Sequence, residues 1–303
     1  MRIPLIALAV LMSCGAASLA QQNAPDGPPP VIAIGREEIP PGRMPAHERN
    51  AAGFVSVLNR IGATSHRIAL VPLSGDDNQV LYLEPYASFA EFAQARRQFD
   101  EAVTSNAALR TEMDQLMRDN VQLHHSQKTM LARYRADLSY RPKPREETAR
   151  ARYFSITSVR VKLGRGPDLA EWIKQGNAAR ATANIDDHTA VYQVASGAPF
   201  GTFLFFSSHK SLQEWDEDFA RGEQEQKAID EALGGPVVVA SRRQLAAEIT
   251  IEVMNTLFAI NPAMSRVPAQ MAAVDPDFWT PKPVVASGKA LAKKVVPGDK
   301  QKP

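Results

Sequence analysis

Cysteine is almost absent from the 303-residue sequence: the single Cys14 lies within the first twenty residues. Those residues have the pattern of a signal peptide, with Arg2 as the positive start, an apolar run over 3–12 and a small-x-small cleavage site at 18–20. Cleavage after Ala20 leaves no thiol, which excludes a disulfide framework and a cysteine-based metal site. We therefore expect a periplasmic or secreted protein.

The same region has a second interpretation. Residues 11–14, Leu-Met-Ser-Cys, resemble a bacterial lipobox, although Met12 stands where a small residue is usual. Processing at that point would acylate Cys14 and make the chain a membrane-anchored lipoprotein. Both interpretations stay open at the level of the sequence.

Long apolar runs and an excess of one charge are also missing. No stretch after the leader reaches the ~18 apolar residues of a spanning helix, so we expect no transmembrane span. Lysine and arginine total 35 against 33 acidic residues, for a net charge of +2. The basic excess falls in residues 281–303, with six Lys and one Asp, and a basic tail is not the basic face that nucleic acid requires. We expect no nucleic-acid partner.

Motifs for metal ions and common cofactors are lacking as well. His124 and His125 are adjacent and would point ~100° apart on a helix, so they do not form a chelating pair. His47 and Glu48 lack the second histidine of a zinc-protease helix, and the sequence has neither a phosphate-binding loop nor a G-x-S-x-G motif. We expect neither a metal ion nor another cofactor.

An internal repeat is the strongest feature present. Residues 65–92 return in altered form as residues 187–215, with His66 matching His188 at the start of each copy. Each copy has two apolar runs on either side of a glycine-containing turn, which predicts a β-hairpin.

A helix start follows each predicted hairpin. Ser88 and Glu91 in the first copy, and Ser211 and Glu214 in the second, have the Ser-x-x-Glu spacing of a capping box. In this motif the serine hydroxyl accepts the N–H three residues ahead, and the glutamate reaches back to the serine N–H.

The order strand, helix, strand, strand, helix, strand is readable twice along the chain, and it is the ferredoxin-like order. The predicted segments are a signal peptide (1–20), a Pro-rich linker (21–30), ferredoxin-like repeat 1 (31–142), a linker (143–152), ferredoxin-like repeat 2 (153–268) and an extended, Lys-rich disordered tail (269–303).

The predicted fold class is α+β. Each ferredoxin-like sheet leaves one apolar face bare, so we expect the two halves to pack sheet to sheet as an intramolecular dimeric α/β barrel. In element order and repeat the chain resembles the dimeric α/β-barrel superfamily in tandem form, over about residues 31–268. That group includes antibiotic-biosynthesis monooxygenases and NIPSNAP-like proteins, and the resemblance rests on no catalytic motif.

Histidines and a tyrosine are the first candidate ligand-binding residues. His66 and His188 occupy matching positions, where paired imidazoles could bind a ligand or transfer a proton, or could lie as partly exposed turn residues. Tyr192 interrupts an otherwise apolar strand and is a pocket candidate, with a buried and satisfied tyrosine as the alternative.

Charged strand residues form the second candidate set. Arg36 and Arg160 are expected to be repeat equivalents near the ends of the first strands, and Glu84 lies on a hairpin strand. If their sheet face lines a cavity, the arginines could bind an anionic ligand; otherwise they are strand-end charges in solvent.

These patterns predict a non-catalytic module of the bacterial envelope, with a structural role or a small apolar or anionic ligand. The alternative is a cofactor-light, monooxygenase-type enzyme with a pocket between sheet and helices of one repeat. A cavity with converging polar groups would favour the enzyme, and a filled interior would favour the module.

Overall fold

A computed structural model describes residues 27–280. The elements in chain order are β1 (Val31–Glu38), α1 (Met44–Arg60), β2 (Arg67–Pro72), β3 (Gln79–Tyr86), α2 (Phe89–Thr104), α3 (Ala107–Val121), β4 (Ser126–Tyr134), α4 (Arg145–Ala149), β5 (Tyr153–Val161), α5 (Gly166–Thr182), β6 (Ala190–Ser196), β7 (Thr202–His209), α6 (Leu212–Ala232), α7 (Pro236–Ile249), β8 (Thr250–Arg266), α8 (Ala269–Val274) and α9 (Pro276–Trp279). The predicted signal peptide with Cys14, and residues 281–303, lie outside the described residues.

The eight strands form one closed antiparallel barrel in the order β1-β3-β2-β8-β5-β7-β6-β4. The α+β class and the expected barrel are therefore confirmed. The sheets join edge to edge, with Leu70 of β2 opposite Ile260 of β8, and Arg133 of β4 opposite Gln193 of β6. Closure pairs the backbone groups that two separate sheets would leave free at their edges.

Alternate residues of all eight strands point into the barrel, as the two-residue period of a strand requires. The inward side chains are Ile32, Ile34, Leu70, Leu81, Leu83, Ala132, Phe154, Ile156, Tyr192, Leu204, Phe206, Phe258 and Ile260. An eight-stranded barrel is just wide enough for such side chains to fill it. The core is thus shared by both halves of the chain.

Helices cover the outer face of the barrel. Outward residues of β5 to β7 pack beneath α5 in an apolar cluster that includes Leu169, Ile173 and Phe203. A corresponding cluster under α1 includes Val80 and Tyr82. All four residues of 80–83 are buried, which confirms the prediction that this strand is covered on both faces.

Both predicted hairpins and both predicted helix caps are present. β2 pairs with β3 and β6 with β7, and the turn glycines Gly75 and Gly197 have φ values of +88° and +86°. The hydroxyls of Ser88 and Ser211 each accept the N–H three residues ahead at 3.1 Å. The cap glutamates accept the N–H of the residue before each serine, instead of the predicted serine N–H.

The chain after β8 differs from the predicted extended tail over residues 269–280. This segment forms α8 and α9, which bury Met271 and Trp279 against the barrel core. The indole N–H of Trp279 donates to the Ala149 carbonyl at 2.8 Å, so the predicted linker 143–152 also carries a short helix, α4. Both segments order because they cover an apolar barrel end that water would otherwise reach.

Within residues 27–280, none of the helices has the length and apolar character needed to cross a bilayer.

Candidate functional site

A cavity of about 490 Å³ opens at the barrel end where β1 and β5 begin. This volume is within the usual range for a small-molecule site, ~300–1,000 Å³. Its lining combines strand ends from both halves with residues 27–30, α4 and α8. The wall includes Ile32, His66, Ile68, Leu83, Tyr86, Lys143, Phe154, His188, Tyr192, Phe206 and Ser208.

Most of the wall is apolar. Ile32 and Leu83 come from the first half of the chain, and Phe154 and Phe206 from the second, and all four are buried. The cavity therefore exists only because the two halves form one barrel. An apolar wall of this kind favours a small, largely hydrocarbon or aromatic ligand.

His66 is the histidine of this wall that has a ring nitrogen without a hydrogen-bond partner. It lies half-buried just before β2, and its Nδ1 is buried without a hydrogen-bond partner. Burial and the nearby Arg266 charge lower the pKa of His66 to about 4. The Arg266 backbone has the opposite, smaller effect on this pKa. His66 is consequently an uncharged imidazole at neutral pH.

Two tyrosines supply hydroxyls to the same end of the barrel. The Tyr192 hydroxyl donates to the Pro29 carbonyl at 3.0 Å, and the Tyr86 hydroxyl donates to the Glu84 carboxylate at 2.9 Å. Burial raises the pKa of Tyr192, and burial together with Glu84 raises the pKa of Tyr86. Both phenols stay protonated at neutral pH, and each donates its single proton within the protein.

His188 and Lys143 also contribute polar groups to the cavity lining. His188 Nδ1 lies 2.5 Å from the Arg141 carbonyl, which makes Nδ1 the protonated nitrogen. Lys143 Nζ donates to the Ser208 carbonyl and to the Glu214 carboxylate, both at 2.8 Å. Their hydrogen-bonding capacity is largely used within the protein, in contrast to that of His66.

The structure brings three of the six predicted site residues together: His66, His188 and Tyr192 all line the barrel-end cavity. Glu84 lies one contact away, through Tyr86, and its carboxylate is 3.8 Å from Arg67 Nε. The sequence signals that found these residues were the matching histidines of the repeat and a tyrosine in an apolar strand.

Arg36 and Arg160 lie at the opposite end of the barrel, so they do not belong to this cavity. Nor are they repeat equivalents: Arg36 lies opposite Leu81, whereas the residue opposite Leu204, the counterpart of Leu81, is Ser158. The predicted alignment of the two first strands was wrong by two residues. Because side chains alternate with a period of two, such a shift leaves each side chain on the same sheet face, so the hydrophobic alternation could not reveal the error.

A second cavity, of about 630 Å³, lies between β5 to β7 and the helices α5, α6 and α7. This is the location that the enzyme alternative predicted. Its polar groups are mainly bonded to one another: Asn177 donates to the Leu138 carbonyl at 2.9 Å, and Arg242 donates to the Trp172 carbonyl at 2.8 Å. The barrel-end cavity, with an uncharged imidazole in its wall, is the stronger candidate site.

The chain matches no protein-family model, and no curated protein matches it. Similar solved structures include a candidate monooxygenase of Fusobacterium nucleatum subsp. nucleatum, with a TM-score of 0.46 and 13% identity over 77% of this chain and 93% of that one. An anthrone oxidase-like protein has a TM-score of 0.45 and 9% identity over 76% and 91% of the two chains. Chlorite dismutase from Candidatus Nitrospira defluvii has a TM-score of 0.42 and 8% identity over 78% and 92%.

The prediction of a non-catalytic envelope module is wrong. By their names the similar structures are enzymes. The interior also contains a ligand-sized cavity with several polar groups, where a purely structural module would be filled. At these identities and TM-scores no residue role is transferred, and the resemblance to the dimeric α/β-barrel superfamily stands at the level of the barrel fold alone.

Proposed function

We propose that the protein is a monooxygenase-type enzyme that needs no cofactor and acts on a small, largely apolar molecule with a weakly acidic C–H or O–H group. The observation that carries this proposal is an uncharged imidazole, His66, in the wall of an apolar, ligand-sized cavity.

His66 is the proposed general base. In this role the uncharged imidazole accepts a proton from the substrate. The apolar wall, Phe154 among its residues, favours a substrate whose anion is delocalised over an aromatic system. The Lys143 ammonium has three N–H groups and uses two within the protein, so its third can donate a hydrogen bond to the oxygen on which that charge develops.

The proposed reaction is balanced without an external reductant. Loss of a proton converts an activated CH₂ group into a carbanion, which donates electrons to O₂ and forms a C–O bond. Cleavage of the O–O bond leaves one oxygen as a carbonyl and releases the other as water, so CH₂ plus O₂ yields C=O plus H₂O. Within the chain, the required groups are a base, hydrogen-bond donors and a water-poor cavity.

Oxygen consumption with anthrone as the probe tests the proposal, because anthrone has an acidic CH₂ between two aromatic rings. We expect the purified chain to consume O₂ and form a ketone product. His66→Gln should lower kcat by about 100-fold or more, as for loss of a general base. His188→Gln, on the same cavity wall, is the matched control and should retain most of the activity.

Two outcomes would contradict the assignment. Full activity of His66→Gln would exclude His66 as the base. Loss of activity in Arg180→Gln, on the wall of the sheet–helix cavity, with His66→Gln unaffected, would place the reaction in that second cavity.

We also infer that the barrel arose from two ferredoxin-like repeats, residues 31–142 and 153–268. The strand orders β4-β1-β3-β2 and β8-β5-β7-β6 support this inference. In each half the fourth strand is followed by the first, the third and the second. The finer choice between antibiotic-biosynthesis-monooxygenase-like and NIPSNAP-like relatives then follows the measured activity. Oxygen consumption favours the first group.

A further inference from the structure

A buried polar cluster lies outside the barrel, between β1, α1 and the connection from α3 to β4. Its members are Glu37, His47 and His124, and one ligand atom from each lies within 4.8 Å of the others. His124 Nε2 is 2.9 Å from Glu37 Oε2, and His47 Nε2 is 3.5 Å from the same oxygen. The side chains of the three residues are only 10%, 1% and 8% exposed.

The hydrogen bonds around His124 leave a lone pair facing the carboxylate. His124 Nδ1 lies 2.7 Å from the Asn120 carbonyl, so Nδ1 carries the proton. In the neutral ring, Nε2 is then unprotonated and points at a carboxylate oxygen, so either a proton on Nε2 or a bound cation must lie between the two atoms. A carbonyl bonded to the far nitrogen is also the usual support of a metal-binding histidine.

Supporting contacts hold the other two groups. Gln127 donates to Glu37 Oε1 at 2.8 Å, which orients the carboxylate and leaves Oε2 toward the histidines. His47 Nε2 lies 3.0 Å from the Tyr82 hydroxyl, which is itself 3.7 Å from Met264 Sδ, and His47 Nδ1 has no partner. The cluster is therefore ordered, but its polar atoms are incompletely satisfied by protein groups.

The second half of the chain shows that the fold does not need this cluster. Glu37 on β1 lies opposite Val80 on β3. In the second half the corresponding strands are β5 and β7, where Val159 lies opposite Phe203. His47 is the fourth residue of α1, and Leu169 is the fourth residue of α5. Apolar residues fill these positions in one half, and buried ionisable groups usually stabilise a fold no better than apolar ones.

We propose that Glu37, His47 and His124 bind one divalent metal ion of the Zn²⁺ or Fe²⁺ type. Two imidazoles and a carboxylate suit these ions, whereas Mg²⁺ and Ca²⁺ prefer all-oxygen ligands. Ligands about 2.1 Å from a common ion lie roughly 3.0–3.4 Å apart, close to the two separations from Glu37 Oε2. Such an ion would connect β1, α1 and the start of β4, and it would be independent of the barrel-end cavity.

Metal analysis of the purified chain tests the site. After removal of bound metal with a chelator, we titrate the chain with Zn²⁺ by calorimetry, and measure bound ions by mass spectrometry and the Tm with and without Zn²⁺. We expect one ion per chain and a Tm higher by several degrees, because the ion binds the folded state alone.

His47→Leu supplies the residue that the second half has at this position, so it should fold and lose both the binding and the Tm rise. His125→Gln, next to His124 but outside the cluster, is the matched control and should bind as the wild type does. No Zn²⁺ binding by the wild type, or equal binding by His47→Leu, would overturn the proposal. Neither result bears on oxygen consumption at His66.

Discussion

His66 shows that two histidines at matching positions of the chain can have different surroundings in the fold. The repeat predicted that His66 and His188 would occupy matching positions, and both line the same cavity. Their hydrogen bonds differ: His188 donates to the Arg141 carbonyl, whereas Nδ1 of His66 has no partner. Neighbours that are remote in sequence, such as Arg266, help to lower the pKa of His66.

The lowered pKa of His66 predicts an acid-labile contribution to stability. In the unfolded chain the imidazole takes up a proton near pH 6.5, but in the folded protein it does so only near pH 4. As the pH falls from 6.5 to 4, the unfolded state binds more protons, so the free energy of unfolding decreases. Above pH 6.5 this contribution no longer changes with pH.

Urea unfolding of the wild type and of His66→Gln at several pH values between 7.5 and 4 measures this effect. The variant should show a smaller decrease in the free energy of unfolding over this range. His209, whose pKa is also lowered by burial, accounts for part of the decrease that remains. Identical pH profiles for the two proteins would show that His66 is not a buried, uncharged group.

Glu37, His47 and His124 show the limit of residue-level prediction. A motif contains only local spacing, so it relates His47 to Glu48, and His124 to His125. The three residues of the cluster come from a strand, a helix and a connection separated by up to 87 positions. No local rule joins them, so the search for local motifs, from which no metal site was expected, did not consider this cluster.

At the level of elements, the capping boxes were predictable because their donors and acceptors are three residues apart. Ser88 and Ser211 cap α2 and α6 as their spacing predicted. The exact partner of each cap glutamate was not predictable, since the approach of the chain from the preceding strand decides which N–H the carboxylate reaches.

Removing either cap hydroxyl should destabilise the fold measurably. Ser88→Ala and Ser211→Ala are each expected to lower the free energy of unfolding by about 1 kcal/mol, because a helix N–H loses its acceptor. The two helices are capped in separate halves, so the effects should add in the double variant. Ser105→Ala, at the end of α2, is the matched control with a smaller expected effect. Chemical denaturation checks all four variants, and unchanged stability would mean that water replaces the caps.

At the level of the whole molecule, the barrel end is closed by parts of the chain that carry no strong sequence pattern. α8 and α9 bury Trp279 against α4, where a Lys-rich extended tail was expected from residue 269. The lysines of the tail follow Trp279, within residues 281–303, and their composition obscured the apolar segment before them.

Trp279 should therefore matter for both stability and cavity closure. Trp279→Ala is expected to lower the free energy of unfolding by about 3 kcal/mol or more, as for a buried large side chain. Trp279→Phe retains most of the packing and loses the hydrogen bond to Ala149, so a loss of about 1–2 kcal/mol is expected. Urea denaturation separates the two variants. A Trp279→Ala protein as stable as the wild type would show that α9 does not cap the barrel.

The sequence by itself determined the local order: two hairpins, two capped helices and the alternation that buries one face of each strand. These features depend on groups a few residues apart, which chain connectivity already holds close. Tertiary structure alone decided that β2 joins β8 and β4 joins β6. It also decided that Phe154 and Leu83 line one cavity, and that Glu37 contacts His124. Such contacts depend on closure of the whole barrel, whose register is set by the combined packing of all eight strands.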